Sequence, residues 1–345
     1  MTISGVGTAA AVQRPLGADL FQSEVWFDHL LAQGFERAPR PVTLPLAPGV
    51  CLHLMQHAPG GPLSALANYY SGLYGPQGAW LDVSAAQWVG AAKALKQLPG
   101  GSVVRLQPLD AAAGWLPSLE TGLHAAGYWT DRYFAFGNWY QPVPAGGFEA
   151  YWLARPSALR HSVERGRRRL DKAGSWRIDI HTQETDALDA AIEAYESVYA
   201  QSWKPPEACP GFMPGLIRMA ARQGWLRLGV LWLNGRPLAA QVWLVHGGKA
   251  NIYKLAYVQG VEKLSAGSVL TTALMRHTMD VDGVAEVDYL SGDDAYKRDW
   301  MALRRERVGL VAFDPRSARG LAGAARHFAG AWLRGWTGRG ARTGI

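Results

Sequence analysis

Two dipeptides, Asn234-Gly235 and Gly247-Gly248, interrupt an otherwise apolar stretch, WLRLGVLWLNGRPLAAQVWLVHGGKANIYKLAYV. Pairs of this kind accept positive φ at both turn positions, so they reverse the chain in two residues and force antiparallel pairing. The stretch therefore predicts three consecutive antiparallel strands. A helix is expected next, from Val269 to Val281, and then a strand from Val284 to Leu290. A meander that continues into helix and strand is an α+β domain built on one central sheet.

The first half of the chain reads as strand, helix, strand, helix, strand. Helical spacing marks Phe21 to Gln33, and PVTLPLA and CLHLMQHA are strand-like. Ser84 is suited to cap a helix reaching Leu98. SVVRLQPL predicts a strand, GWLPSLETGLHAAG a helix, and YWTDRYFAFGNWY a further strand. Residues Pro142 to Gly147 have linker composition. A basic helix, ARPSALRHSVERGRRRLDKAG, then leads to the strand WRIDIHT, a helix from Thr185 to Gln201, the loop SWKPPEACPG and a helix near Met213 to Gln223. No internal repeat is visible.

With 345 residues, two domains are the natural expectation. A composition of 48% hydrophobic and 18% charged residues excludes wholesale disorder. The net charge of +7 is unevenly placed: from Arg304 onward nine Arg face only Glu306 and Asp314. A second basic segment, Arg155 to Lys172, carries seven Lys and Arg against Glu164 and Asp171. Such segments suit phosphates or a solvated helix face. Cys51 and Cys209 lie far apart, which predicts reduced thiols rather than a disulfide framework. Neither a signal peptide nor a run of about 20 apolar residues is found, so a cytoplasmic protein is expected.

Two segments carry candidate chemistry. The turn Leu264 to Ser268 precedes a helix whose free amides and positive dipole end suit a diphosphate such as that of coenzyme A. The other, DYLSGDDAYKRDW, is a strand end opening into a charged turn, a usual place for catalytic groups. Lys297 could stabilise an oxyanion, and Asp293 or Asp294 could take a proton from an attacking amine. His53 and His57 lack the context of a zinc site, and no metal is expected. His277 shares a stripe with Leu270, Leu274 and Val281 and reads as a packed histidine.

The second half resembles the GNAT-fold acetyltransferase domain of the BioF2-like family and, more distantly, the FemAB and FemX aminoacyltransferases of peptidoglycan bridges. Arg155-Pro156-Ser157 with Arg160, Ser202-Trp203-Lys204, Gly235 to Gln241, Tyr253 to Tyr257, Gly267 and Asp288 to Trp300 carry the resemblance. Ala266 stands where that family commonly has Pro. The resemblance implies two tandem GNAT-like domains, each a mixed, mostly antiparallel sheet flanked by helices. A loose leader over 1–17 is expected, then a degenerate domain over 18–147, a catalytic domain over 148–315, and a basic amphipathic helix and tail over 316–345.

Acyl transfer to an amine is the implied activity, with acetyl-CoA or another acyl-CoA as co-substrate. Tyr296 and Lys297 occupy the place of an aromatic-lysine pair that steadies the reacting carbonyl. Tyr257, Val258, Ser265, Ala266, Gly267 and Ser268 would hold the coenzyme. Trp203, Lys204, Gln241, Tyr253, Lys254 and Arg160 would meet an acceptor, taken to be an amino sugar, a nucleotide sugar or a small amine. Exopolysaccharide or cell-envelope synthesis is the implied setting. One alternative keeps the chemistry with aminoacyl-tRNA as donor, the only case in which nucleic acid is a partner. The other is a non-catalytic partner of a polysaccharide machine. Leu321, Phe328, Trp332 and Trp336 share one side of a terminal helix flanked by Arg319, Arg326 and Arg334. Such a helix docks on its own domain or lies weakly on the inner face of an anionic membrane.

Overall fold

The computed structural model describes residues 16–338, with side chains described as far as 330. Most of the leader expected over 1–17 therefore lies outside the described residues, as do the side chains of Trp332, Arg334 and Trp336. The chain forms two units that are interleaved rather than consecutive. One is Met1–Leu20 with Gly137–Arg305, and the other is Phe21–Phe136 with Glu306–Ile345. Boundaries after 147 and 315 would have given contiguous ones.

The first of these stretches in chain order opens with α1 (Glu24–Gln33), β1 (Arg40–Ala47), β2 (Val50–Gln56) and a short β3 (Leu63–Ala65). Next come α2 (Ala85–Gln97), β4 (Val103–Asp110), α3 (Trp115–Ala125) and β5 (Trp129–Pro142). The Ser84 hydroxyl accepts from the Gln87 amide while the Gln87 side chain returns to the Ser84 amide, a reciprocal cap that starts α2.

The second half holds α4 (Gly147–Leu153), α5 (Ser157–Ala173), β6 (Trp176–His181), α6 (Leu188–Ala200) and α7 (Phe212–Arg222). The meander follows as β7 (Leu226–Leu233), β8 (Arg236–His246) and β9 (Lys249–Tyr257). After it come α8 (Ala266–Arg276), β10 (Glu286–Asp288), α9 (Lys297–Trp300), β11 (Leu303–Phe313) and α10 (Ala318–Gly338).

The meander forms as its turns require. Asn234 at φ 50° and Gly235 at φ 77° make the tight reversal, and Asn234 Oδ1 also accepts from the Ser175 amide at 3.0 Å. The expected helix from Val269 to Val281 begins three residues earlier, at Ala266, and its last turn widens into a π-helix over His277–Val281. The expected strand from Val284 shortens to Glu286–Asp288. The basic helix is α5, which begins at Ser157 directly after Pro156, while a separate helix, α4, precedes it. Strands β3 and β11 have no counterpart in the reading of the sequence.

Each unit repeats one sheet pattern. In the Phe21–Phe136 unit β1, β2 and β3 pair antiparallel, β3 pairs parallel with β4, and β4 pairs antiparallel with β11. In the Gly137–Arg305 unit β6 to β9 pair antiparallel, β9 pairs parallel with β10, and β10 pairs antiparallel with β5. A helix spans each parallel step, α2 in one and α8 in the other, as a crossover demands.

The Gly137–Arg305 core lies on both faces of its sheet. Leu231, Ala239, Trp243, Val269, Leu270 and Leu274 form one buried cluster with α5 and α8. Val230, Ala240 and Val242 alternate to the other face, where α6 and α7 pack.

At the end of β10 a buried charge network closes this core. Asp288, only 1% exposed, accepts from Arg305, from Asn138 Nδ2 at 2.6 Å and from the Leu290 amide at 2.6 Å. Arg305 also bonds Glu286 at 2.7 Å, and Lys249 pairs with Asp19 at 2.8 Å. Removing one member strands its partner as an uncompensated buried charge. Asp288→Ala is expected to cost about 3–5 kcal/mol in urea unfolding. An unchanged midpoint would show that the network contributes nothing to stability.

Candidate active site

Along β9 the parallel ladder to β10 covers only Lys249–Asn251 against Glu286–Asp288. Beyond it β9 runs on to Tyr257 while the chain after β10 turns away, Leu290 adopting φ 53° and Gly292 φ 100°. The two parallel strands therefore part company, and β9 continues as the free arm of a fork. At its far end the chain passes through Ser265, at φ 52°, into α8. The first intrahelical bond is Val269 N to Ser265 O at 3.0 Å, which leaves the amides of Ala266, Gly267 and Ser268 ahead of it as the helix's free donors.

Basic groups surround that turn. Arg169 of α5 donates to Lys263 O at 2.6 Å. Gly166 lets α5 approach it closely, since a Cβ there would meet Leu264 O at 2.9 Å. Gly267 faces the Tyr257 ring, with an added Cβ 3.3 Å from it. Tyr257 in turn packs on Trp203, ring centroids 4.6 Å apart. The Val258 amide is engaged by Leu238 O at 2.9 Å. The turn thus gathers five of the six residues expected around a coenzyme, with Val258 tied into β8.

A second constellation is a cluster of lysines. Lys254 of β9, 7% exposed, pairs with Glu207 at 2.6 Å. Lys204 lies 5.9 Å from the Tyr199 ring centre and 5.8 Å from that of Trp203. Burial, followed by the like charge of Lys254, pulls the Lys204 ammonium down to about 8 from the ordinary 10.5, against the opposing pull of Glu207 and Asp294. Among the described residues no ion pair is formed by Lys204. It is the cation of this cluster that is poised to exchange a proton near neutrality.

Lys297 lies in the turn after β10. It is 5% exposed, and its ammonium donates to Ser291 O at 2.5 Å and Gly292 O at 3.2 Å, with Asp294 at 3.4 Å. Burial lowers its pKa, while Asp294 raises it. Its donors tie the turn after β10 together. Glycine is favoured at 292 because φ there is 100°, a conformation that residues with a Cβ rarely adopt. Tyr296 is 44% exposed and meets Tyr289 edge-on at 5.8 Å.

The two aspartates diverge as well. Asp293 is gripped by Arg304 at 2.7 Å and by Trp139 Nε1 at 2.8 Å, and the Arg304 hydrogen bond, before any other cause, holds its carboxyl below the usual range. Asp294 is the freer carboxylate, its side chain 61% exposed.

Other expected contacts do not converge. Gln241, 1% exposed, donates to Gly267 O at 2.9 Å and Thr271 Oγ1 at 2.8 Å and accepts from Trp243 Nε1 at 2.9 Å. It anchors the start of α8 instead of meeting an acceptor. Tyr253 is the extra residue of a bulge, since Val242 pairs with Lys254 and Trp243 with Ile252, so the regular alternation of the strand is broken between Tyr253 and Lys254. Arg160 lies on α5, in a cleft with Arg167 and Arg276. Reading the sequence missed Glu207 and Tyr199, although an acidic residue three positions after Lys204 in a Pro-rich loop was a signal for the former.

Lys204 allows a test on stability. Its folded pKa is lowered, so the charged form is penalised in the fold below about pH 8, and the penalty lifts as pH rises toward 10.5. The Tm of the protein should therefore rise relative to that of Lys204→Met across this window. Parallel Tm curves from pH 7 to 10 would show that Lys204 is not desolvated.

Comparison with known proteins follows the same geometry. Residues 157–298 match the family model described as acetyltransferase (GNAT) domain, a segment opening on the first residue of α5 and closing one past Lys297. No curated protein matches the chain. Among solved structures, FemX aligns over 87% of this chain and 92% of its own, at TM-score 0.59 and 10% identity. L-PGS from Bacillus licheniformis aligns over 86% and 92%, at 0.55 and 12%. A chain named as the C-terminal domain of a lysylphosphatidylglycerol synthetase from Agrobacterium fabrum aligns over 90% and 95%, at 0.55 and 15%. At these identities the likeness establishes a shared fold, which is GNAT-like and α+β.

Proposed function

We propose, starting from a GNAT-type acyltransferase domain over 157–298, that this protein is an N-acyltransferase. In this reading it takes an acyl group, acetyl foremost, from acyl-CoA and passes it to the amine of a sugar, nucleotide sugar or small metabolite. The observation that carries it is the fork between β9 and β10, which opens directly onto the amino end of α8. A pantetheine arm could add to the course of β9 beyond its ladder with β10 as an extra strand does, its diphosphate meeting the amides of Ala266, Gly267 and Ser268. No metal takes part in this scheme.

The chemistry needs an amine that has lost its proton. Its nitrogen attacks the thioester carbonyl, the C–N bond forms, and the C–S bond breaks as the thiolate leaves and is protonated. Neutral Lys204 would accept the ammonium proton, a role matched to a pKa of about 8. Asp294, exposed beside Lys297, would attract the cationic acceptor, and Lys297 would hold the Ser291–Asp294 turn in shape. Tyr296 would line the approach.

A second reading, aminoacyl-tRNA as donor, is favoured by one feature, the row of exposed Arg165, Arg167, Arg168, Arg169 and Lys172 on α5. RNA phosphates bound there would make activity fall steeply with salt. The setting we propose is cytoplasmic, in exopolysaccharide or cell-envelope synthesis. Among the described residues no helix is long and apolar enough to cross a membrane. In α10, Phe328 packs on Phe313 at 6.3 Å while Leu321 stays 50% exposed. Docking of α10 on its own domain is the preferred reading, with weak contact to the inner membrane face as the other.

Thermal shift with acetyl-CoA, longer acyl-CoAs and free CoA is the direct test. Saturation at about 100 times Kd adds about 2.7 kcal/mol, which raises Tm by several degrees. The shift should vanish in Gly267→Val, whose side chain crowds Tyr257 and the free amides, and persist in Lys204→Met. Turnover of Lys204→Met should fall about 100-fold, as for loss of a general base. Absence of any shift with CoA species would sink the acyl-CoA reading and leave the tRNA donor.

A further inference from the structure

Apart from the lysine cluster, a cleft of about 320 Å³ opens between α4, α5 and the C-terminal half of α8. Its walls include Phe148 and Trp152, Arg160, His161 and Arg167, and Arg276. Phe148 and Trp152 stack with centroids 5.7 Å apart and planes 18° from parallel, and because Phe148 is only 1% exposed the half-buried Trp152 ring is the apolar side. The opposite side is cationic. Its one carboxylate, Glu164, is already paired with Arg168. Arg276 is likewise engaged, bonded to Glu149 at 2.7 Å and lying over the Phe148 ring at 4.2 Å.

Arg160 and Arg167 differ from these. Among the described residues neither guanidinium has an acidic partner, and Arg160 Nε is buried without any hydrogen bond. A buried donor left unsatisfied costs about 1–3 kcal/mol, so the cleft as built favours an acceptor brought in from outside. Two guanidinium forks without an acidic partner, two turns apart on α5 and both lining the cleft, match the charge and bonding of a phosphate better than those of a lone carboxylate. The volume reaches the lower end for small-molecule sites, about 300 Å³, and far exceeds what bare phosphate fills.

We infer that this cleft binds an organic phosphate, held by Arg160 and Arg167 with its carbon body against Trp152. The site is separate from the turn that opens α8. Arg276 lies ten residues beyond Ala266, about 15 Å along the helix. The inference stands whether the acyl donor is a CoA thioester or not.

Calorimetric titration of the full chain with phenyl phosphate, AMP and inorganic phosphate tests it. The wild type should bind at least one ester more tightly than inorganic phosphate. Arg160→Met/Arg167→Met should weaken that ester about tenfold or more, and Arg160→Lys, which keeps charge but loses the fork, should fall between. Gly267→Val should bind as wild type does, because the turn at α8 is not involved. A cooperative melt of each variant verifies that it is folded. No binding of any ester to the wild type would overturn the proposal. So would equal affinity in the double variant, or loss of ester binding in Gly267→Val.

Discussion

The end of β10 is the point on which the Gly137–Arg305 unit turns. Asp288 sits there almost without solvent, its carboxylate shared between Arg305, Asn138 and the Leu290 amide. That arrangement stops the parallel ladder after three residue pairs and drives Leu290 into the left-handed region. A longer ladder would hold β9 and β10 together and close the fork. A carboxylate in place of an apolar residue at this position is expensive to bury, so the arginine opposite it is obligatory. The opening of the fork and the shape of the charged turn are thus consequences of one buried ion pair.

The lysines around the fork show how burial sorts chemically identical side chains. Lys297, Lys254 and Lys204 all lose water. Lys297 compensates with two backbone carbonyls and Lys254 with Glu207. Lys204 has two rings for company and a like charge nearby, so its ammonium is the one brought down toward neutrality. A proton carrier needs that imbalance, whereas a lysine with its donors saturated is a brace. The same logic separates Asp293, locked by Arg304 and Trp139, from the exposed Asp294 beside it.

Much of the fold was legible along the chain because its signals are local. The Asn-Gly and Gly-Gly turns, the Ser84 cap and the apolar periodicities each depend on a few consecutive residues, and the elements they announce are present. Strand β3 was too short to carry a pattern. Strand β11 opens with LRRER, whose charge density hid a strand that buries Val308 to Phe313. The start of the basic helix just after Pro156 was local and readable, yet its boundary was drawn three residues too early, at Ala154.

For the site, the chain alone determined which chemistry is on offer: a Gly-containing turn before a helix, a charged turn after a strand, and a lysine in a Pro-rich loop. Which of these groups is free to react was decided only by the tertiary structure, because availability depends on partners distant in sequence. Gln241 is bonded to Gly267, Thr271 and Trp243, Lys297 to its own turn, and a bulge at Tyr253 resets the alternation of β9 just before Lys254. Glu207 reaches Lys254 across a gap of 47 residues. Residue types and short spacings are written in the chain, but burial and pairing arise when remote segments meet. They set which proton can move.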